Sequence, residues 1–125
     1  MRILVIDDEE MIRALAEKIL SRAGHEVLLA ESGPEGMNLL DQRSGEIDMA
    51  IVDYVMEGMS GVETLRNLRR KAPDLPCLLS SGHTNTADSL PDDLLHKVEF
   101  LQKPYRANDL IAKIDTMYRT WCGQP

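Results

Sequence analysis

The feature that most constrains the fold is a regular alternation of short apolar runs with segments of helical periodicity. The first run, residues 3–6, is purely aliphatic, as is typical of a strand buried on both faces. Four more runs lie at residues 27–30, 49–52, 77–80 and 98–101. The pattern predicts one α/β domain over residues 1–125, with five β-α units and a parallel sheet covered by helices on both faces.

Local signals mark where helices begin and end. Gly24 follows the first helical segment, a position where glycine commonly ends a helix. Ser32 and Ser60 stand at two helix starts, and Ser60 has capping-box spacing to an acidic residue. The segment 84–97, between the last two strands, is polar and interrupted by Pro91, so it predicts the least regular helix.

Charge and composition exclude several classes of function. The net charge is −7, which argues against nucleic-acid binding because phosphate contacts need clustered Lys and Arg. No run approaches the ~20 apolar residues that cross a bilayer, and the N-terminal run is too short for a signal peptide. Cys77 and Cys122 match no metal or disulfide spacing, which favours reduced thiols. We therefore expect a cytoplasmic domain with no membrane or direct nucleic-acid partner.

Polar residues with chemical potential follow the apolar runs. Asp7 and Asp8 end the first run, Asp53 the third, Ser81 the fourth, and Lys103 follows the fifth. Ligands of open parallel sheets bind beyond the carboxyl ends of the strands. If the first and third strands are neighbours, three carboxylates meet there and repel one another unless a cation offsets them. A hard, oxygen-seeking ion such as Mg²⁺ fits this set.

Each of these residues also has an ordinary structural explanation. Acids at residues 7–10 suit the first turn of a helix, Asp53 could begin a turn, and Lys103 could be a surface charge. Taken alone, each of these explanations is the better one. Their joint placement at the ends of several strands favours a common site.

The chain resembles the receiver domain of bacterial two-component response regulators over essentially its whole length. The resemblance implies a flavodoxin-like (βα)5 fold, a three-layer sandwich whose parallel five-stranded sheet has the order 2-1-3-4-5. It rests on five separated motifs in the family's order: residues 5–9 (VIDDE), Asp53, Met56 with Gly61, Ser81 with Gly82, and residues 100–104 (FLQKP).

The same resemblance implies roles for the acidic residues. Asp53 would accept a phosphoryl group from a sensor histidine kinase or a phosphotransfer protein. Asp8 would bind Mg²⁺ directly and Asp7 mainly through water, with Asp53 and the backbone carbonyl of Val55 completing the protein ligands. The domain would be no enzyme beyond catalysing its own phosphorylation and dephosphorylation.

Further implied roles concern the phosphoryl group and the response to it. The Ser81 hydroxyl and the Lys103 ammonium would contact phosphoryl oxygens, and the peptide bond from Lys103 to the next proline would be cis. Ser81 and the Phe100 ring would form a switch that controls a partner, an output domain or a phosphorylation-dependent homodimer. Three residues differ from the family's usual choice: Glu57 replaces a proline near the site, Phe100 stands where Tyr is common, and Arg106 replaces a small polar cap before the last helix.

Two other classes of function compete with a phosphoryl-accepting switch. One is a phosphate sink, or an interaction module with this fold that accepts no phosphate. The other is a Mg²⁺-dependent phosphatase of the haloacid dehalogenase type, which needs an Asp-x-Asp motif after a strand. Asp53-Tyr54-Val55 does not supply that motif.

Overall fold

Five parallel strands form one sheet with the order β2-β1-β3-β4-β5 in the computed structural model, which describes residues 1–43, 45–56, 58–82 and 90–122. The strands are β1 Arg2–Ile6, β2 Glu26–Ala30, β3 Met49–Asp53, β4 Cys77–Ser81 and β5 Val98–Gln102. Each predicted strand and the predicted order are therefore confirmed. The order puts β1 and β3 side by side at the middle of the sheet, with Ile6 opposite Val52.

Four α-helices cover this sheet in the described part of the chain. They are α1 Glu10–Arg22, α2 Gly33–Gln42, α3 Gly61–Lys71 and α4 Ala107–Met117, which is followed by a π-helical turn, Tyr118–Cys122. The longest of them has 13 residues, so no described helix is long and apolar enough to cross a membrane.

The helix predicted over residues 84–97 is only partly open to comparison, because residues 83–89 lie outside the described part of the chain. The rest, 90–97, contains a single 3₁₀ turn, Asp92–Leu94, so the prediction of an α-helix there is wrong. Pro91 precedes the turn with extended backbone, and Lys97 has a φ of 54°. Both conformations are incompatible with a continuous α-helix.

The core has two halves, one on each face of the sheet. Alternate residues of β1 point to opposite faces, so Leu4 and Ile6 belong to one half and Ile3 and Val5 to the other. Helices α2 and α3 pack on the first half, and α1 and α4 on the second. This is the three-layer sandwich that the alternation of elements predicted.

The local helix signals are also confirmed. The Ser32 hydroxyl accepts a hydrogen bond from the Glu35 N–H at 3.2 Å, and the Ser60 hydroxyl accepts one from the Glu63 N–H at 3.2 Å. Gly24 follows α1 with a φ of 92°, a left-handed conformation that favours glycine. These caps fix where α2 and α3 start and so set the length of the loops at the carboxyl edge.

We expect Gly61→Ala to destabilise the fold by about 3 kcal/mol, the upper end of the usual cost of overpacking. A Cβ at Gly61 would lie 2.5 Å from the Asp53 carbonyl oxygen and 2.6 Å from the Tyr54 Cα. Both are backbone atoms at the end of β3, so relief requires moving the strand. Urea unfolding followed by circular dichroism measures the change. Gly82→Ala, where the new Cβ meets no atom of the described residues within 4 Å, is the control, and an equal loss in both variants would contradict the steric argument.

Candidate functional site

The central pair of strands brings two aspartates together at the carboxyl edge of the sheet. Asp7 directly follows β1 and Asp53 is the last residue of β3. The side chains are buried, since Asp7 is 2% exposed and Asp53 is 4% exposed, whereas Asp8 is exposed. The condition on which the sequence argument depended, adjacent first and third strands, is thus fulfilled.

Asp7 uses both of its carboxylate oxygens within the protein. Oδ1 accepts a hydrogen bond from the Glu9 N–H at 2.9 Å, and Oδ2 lies 2.7 Å from the Lys103 Nζ. Each of these oxygens keeps a second lone pair, which can accept a hydrogen bond from a water on Mg²⁺, the contact that the family resemblance implies for Asp7.

Lys103 links the two buried aspartates. Its Nζ lies 3.1 Å from Asp53 Oδ1 as well as 2.7 Å from Asp7 Oδ2, and the side chain is only 13% exposed. Its backbone N–H donates to the Ser81 carbonyl at 2.7 Å, and its peptide bond to Pro104 is cis, as predicted. Burial alone would lower the pKa of Lys103. The hydrogen bonds and charges of Asp7 and Asp53 together have the larger effect, so the pKa is raised above its usual value. The ammonium therefore stays charged at neutral pH.

The environment of Asp53 disfavours its charge. Burial, and then the negative charge of Asp7, raise the pKa of Asp53 to about 6, although Lys103 and the Val55 N–H at 3.3 Å favour the ionised form. At neutral pH the carboxylate is ionised, as a nucleophile must be. Keeping Asp53 ionised therefore lowers the free energy of unfolding at neutral pH.

We expect this cost to appear as a pH dependence of stability in metal-free protein. The pKa is raised from 3.8 to about 6, so between these values the folded state binds more protons than the unfolded state. The free energy of unfolding therefore falls as pH rises from about 4 to 6, by at most about 3 kcal/mol at 1.36 kcal/mol per pKa unit. Asp53→Asn lacks this loss, so it should be more stable than the native chain at pH 7 and similar at pH 4.

Urea unfolding in EDTA at pH 4, 5, 6 and 7 tests the expectation. Glu17→Gln, which removes an exposed acid on α1, serves as the control for general loss of an acid and should follow the native pH profile. Profiles of Asp53→Asn and the native chain that stay parallel from pH 4 to 7 would show that Asp53 carries no such cost.

Ser81 and Phe100 lie on the same face of the sheet. Phe100 is opposite Leu79 in the register of β4 and β5, and Leu79 and Ser81 point the same way because they are two residues apart. Ser81 is buried, whereas Phe100 is half-buried against the core half that α2 and α3 cover. The two side chains therefore share one face of the sheet, and the Ser81–Phe100 switch stays a prediction.

Among the described residues, four carboxylates could hold a metal ion here. One oxygen from each of Asp7, Asp8, Glu9 and Asp53 lies within 4.8 Å of the others. An all-oxygen set of carboxylates suits Mg²⁺ and fits no soft metal. Glu9 was not among the predicted ligands; the run of four acids at residues 7–10 was the available signal, but it does not indicate which of them turn inward.

A cleft of about 460 Å³ opens over Asp53, Glu9 and Lys103. Val55 also lines it and has an exposed side chain. Glu57, which replaces the family's proline, lies outside the described residues, and Arg106 is the N-cap of α4 without a capping side-chain bond. The described residues that line the cleft are Glu9, Ile12, Asp53, Val55, Gly82, Lys103 and Pro104.

The arrangement suits phosphoryl transfer to a carboxylate. Such a transfer needs an aligned nucleophile and positive charge beside the phosphoryl oxygens, with little other chemistry. In such a transfer Asp53 could act as the nucleophile and Lys103 could supply one positive charge. The surrounding acids have oxygens that could hold a metal ion, which would supply a second positive charge.

Comparison with known proteins agrees with this geometry. The family model described as the response regulator receiver domain matches residues 3–115. The uncharacterized transcriptional regulatory protein YrkP of Bacillus subtilis is 33% identical over 120 residues, which cover 96% of this chain and 50% of that protein. The sensor kinase CckA of Brucella abortus is 32% identical over 117 residues, 92% of this chain and 12% of the kinase. The chain thus spans at most about half the length of these curated relatives.

Solved structures give the same result. A response regulator receiver domain protein from Clostridium thermocellum superposes with a TM-score of 0.85 at 31% identity, covering 95% of this chain and 94% of that one. The receiver domain of the hybrid histidine kinase CckA superposes with a TM-score of 0.80 at 29% identity, covering 94% and 98%.

Proposed function

This chain belongs to the response regulator receiver domain family, and we propose that its Asp53 accepts a phosphoryl group from a phosphohistidine of a sensor histidine kinase or phosphotransfer protein. The domain, residues 1–125, is then a signalling domain rather than a classical enzyme. The observation that carries the proposal is the placement of Asp53: a buried carboxylate in a solvent-open cleft, 3.1 Å from a buried lysine ammonium.

The proposed transfer needs few groups. An oxygen of Asp53 attacks phosphorus, the phosphorus–oxygen bond forms, and the phosphorus–nitrogen bond of the donor breaks with its electron pair returning to the imidazole. Lys103 is within reach to exchange a contact with Asp53 Oδ1 for one with a phosphoryl oxygen. The Ser81 hydroxyl donates to another.

Mg²⁺ is the proposed cofactor of this transfer. When bound, it neutralises charge on the phosphoryl oxygens and so lowers the repulsion between the donor and the acidic site. Asp8 and Asp53 with the Val55 carbonyl would hold it directly, and Asp7 through water. The support is the convergence of carboxylate oxygens from Asp7, Asp8, Glu9 and Asp53 within 4.8 Å.

Phosphorylation is proposed to change the conformation that a partner, an output domain or a second copy binds. Movement of the Ser81 hydroxyl towards the phosphoryl group vacates space on the face that Phe100 shares. The Phe100 ring is half-buried and packs against the core half towards which it would turn. A bound group shifts such an equilibrium only by its different affinity for the two states.

We expect beryllofluoride, a phosphoryl mimic, to move the backbone NMR signals of Phe100 and α4 as well as those of the site. The shifts should be absent in Asp53→Asn, which lacks the carboxylate that binds the mimic. Shifts confined to Asp7, Asp8 and Asp53 would refute the switch. They would favour the alternative of a phosphate sink.

Acetyl phosphate with Mg²⁺ tests the proposed function directly. We expect intact-mass spectrometry to find one added phosphoryl group per chain, removable by hydroxylamine as an acyl phosphate must be. Rapid, continuous release of phosphate with no labelled protein would support a phosphatase instead. No labelling and no release would leave an interaction module without phosphate chemistry.

A further inference from the structure

Arg13 connects α1 to the ends of two strands beside the acidic site. Its Nη1 donates to the carbonyl oxygen of Asp7 at 2.7 Å, and its Nη2 lies 3.9 Å from Glu31 Oε2, just beyond β2. The side chain is only 16% exposed, so the guanidinium is held rather than solvated. The proposed phosphoryl transfer uses neither Arg13 nor Glu31.

We propose that Arg13 is the positioning residue of the metal site, orienting the peptide group between Asp7 and Asp8. The carbonyl that Arg13 holds belongs to the Asp7–Asp8 peptide, which is planar and includes the Cα atoms of both residues. A rotation of that one plane redirects both side chains. The inference rests on the proposed binding of Mg²⁺ at these acids.

The position of Asp7 between β1 and α1 explains why its backbone carbonyl depends on Arg13. Its N–H donates to the Ala30 carbonyl at 3.1 Å and continues the pairing of β1 with β2. Its carbonyl lies after the last paired residue of β1 and before the first turn of α1, whose earliest bonds go to the Glu9 carbonyl. Buried carbonyls need a donor, and the guanidinium of Arg13 is the donor that the structure provides.

The contact between Arg13 and the Asp7 carbonyl also influences the position of the Asp7 carboxylate. The Glu9 N–H donates to Asp7 Oδ1 at 2.9 Å and so closes the turn from Asp7 to Glu9. The acceptor is the side chain of the same residue whose carbonyl Arg13 holds. Loss of the guanidinium frees the Asp7–Asp8 peptide and loosens this turn. Partners that orient metal ligands typically contribute a factor of about 10–100 to metal affinity.

The charge of Arg13 and its positioning role predict opposite changes in Mg²⁺ affinity when the residue is replaced. As a cation near an acidic site, Arg13 would repel Mg²⁺, so its removal would tighten binding if charge were all that mattered. A positioning residue predicts weaker binding when it is removed. Glu31 is 68% exposed and 3.9 Å away, so Glu31→Gln should have a smaller effect than any change at Arg13.

Calorimetric titration of metal-free protein with Mg²⁺ separates these cases. We expect Arg13→Gln to raise the Kd about 10-fold or more, Arg13→Lys to give an intermediate value through one retained donor, and Arg22→Gln to leave it nearly unchanged. Arg22 is the matched control, an exposed arginine at the other end of α1. Without any metal, hydrogen exchange at the Glu9 amide should be faster in Arg13→Gln than in Arg22→Gln.

The outcomes are distinct from failure of the proposed function. If the native chain does not bind Mg²⁺, or Asp8→Ala binds it equally well, the metal site itself is refuted. If those two behave as proposed but Arg13→Gln keeps or improves the native Kd, the positioning role is overturned. If Arg13→Gln does not fold, Arg13→Lys is the deciding variant. A native Kd for Mg²⁺ and a native rate of hydrogen exchange at the Glu9 amide in Arg13→Lys would then overturn the positioning role.

Discussion

Asp53→Asn is expected to abolish labelling by acetyl phosphate completely. The amide has the shape of the carboxylate but not its nucleophilic oxygen, and Asp53 is buried in the cleft where the other reacting groups converge. Asp7, the other buried acid of the described residues, has both oxygens in contact with protein donors, Lys103 and the Glu9 N–H. Intact-mass spectrometry of the variant with acetyl phosphate and Mg²⁺ is the measurement.

Removal of the costly charge is expected to stabilise the metal-free fold of Asp53→Asn at pH 7, and urea unfolding of the variant separates loss of labelling from loss of the fold. Asp115→Asn, an exposed change of the same chemistry on α4, should label like the native chain. A phosphoryl group retained by Asp53→Asn would move the acceptor to another residue and end the proposed assignment.

Much of the fold could be predicted because its determinants are local. Buried strands appear as short apolar runs, and Ser32 and Ser60 mark the starts of α2 and α3 through bonds that span only three residues. Strand order is not local, and the family resemblance was needed to place β1 beside β3. Once that order is known, the meeting of Asp7 and Asp53 follows from parallel strands alone.

The contacts that escaped prediction all depend on tertiary geometry. Arg13 occupies an ordinary polar position in the helical pattern, and nothing in its spacing indicates a bond to the Asp7 carbonyl. Glu9 has three acidic neighbours in sequence, and only the turn after β1 brings it within reach of Lys103, at 3.9 Å. The 3₁₀ turn before β5 was missed because Pro91 indicated an interruption without saying what replaces the helix.

Asp8→Ala is expected to weaken Mg²⁺ binding by more than about 100-fold, beyond the loss that removal of an orienting partner produces. In the proposed site Asp8 binds the ion directly, whereas Asp7, which also holds Lys103 and the Glu9 N–H, binds it through water. The extent of labelling by acetyl phosphate should fall together with the Mg²⁺ affinity. Because Asp8 is exposed, its replacement leaves the buried Asp7–Lys103–Asp53 set in place, and repulsion at the metal-free site should decrease.

The matched control for Asp8→Ala is Glu10→Ala, which removes an exposed acid two residues further along. Glu10 begins α1 and is not among the carboxylates that converge within 4.8 Å. If general negative charge attracted the ion, both variants would lose affinity to a similar degree, because such attraction varies little over two residues. If Asp8 is a ligand, calorimetry will find nearly native affinity in Glu10→Ala and almost none in Asp8→Ala. Equal affinities in Asp8→Ala and the native chain would remove Asp8 from the site, and with it the argument that Mg²⁺ supplies the second positive charge beside Lys103.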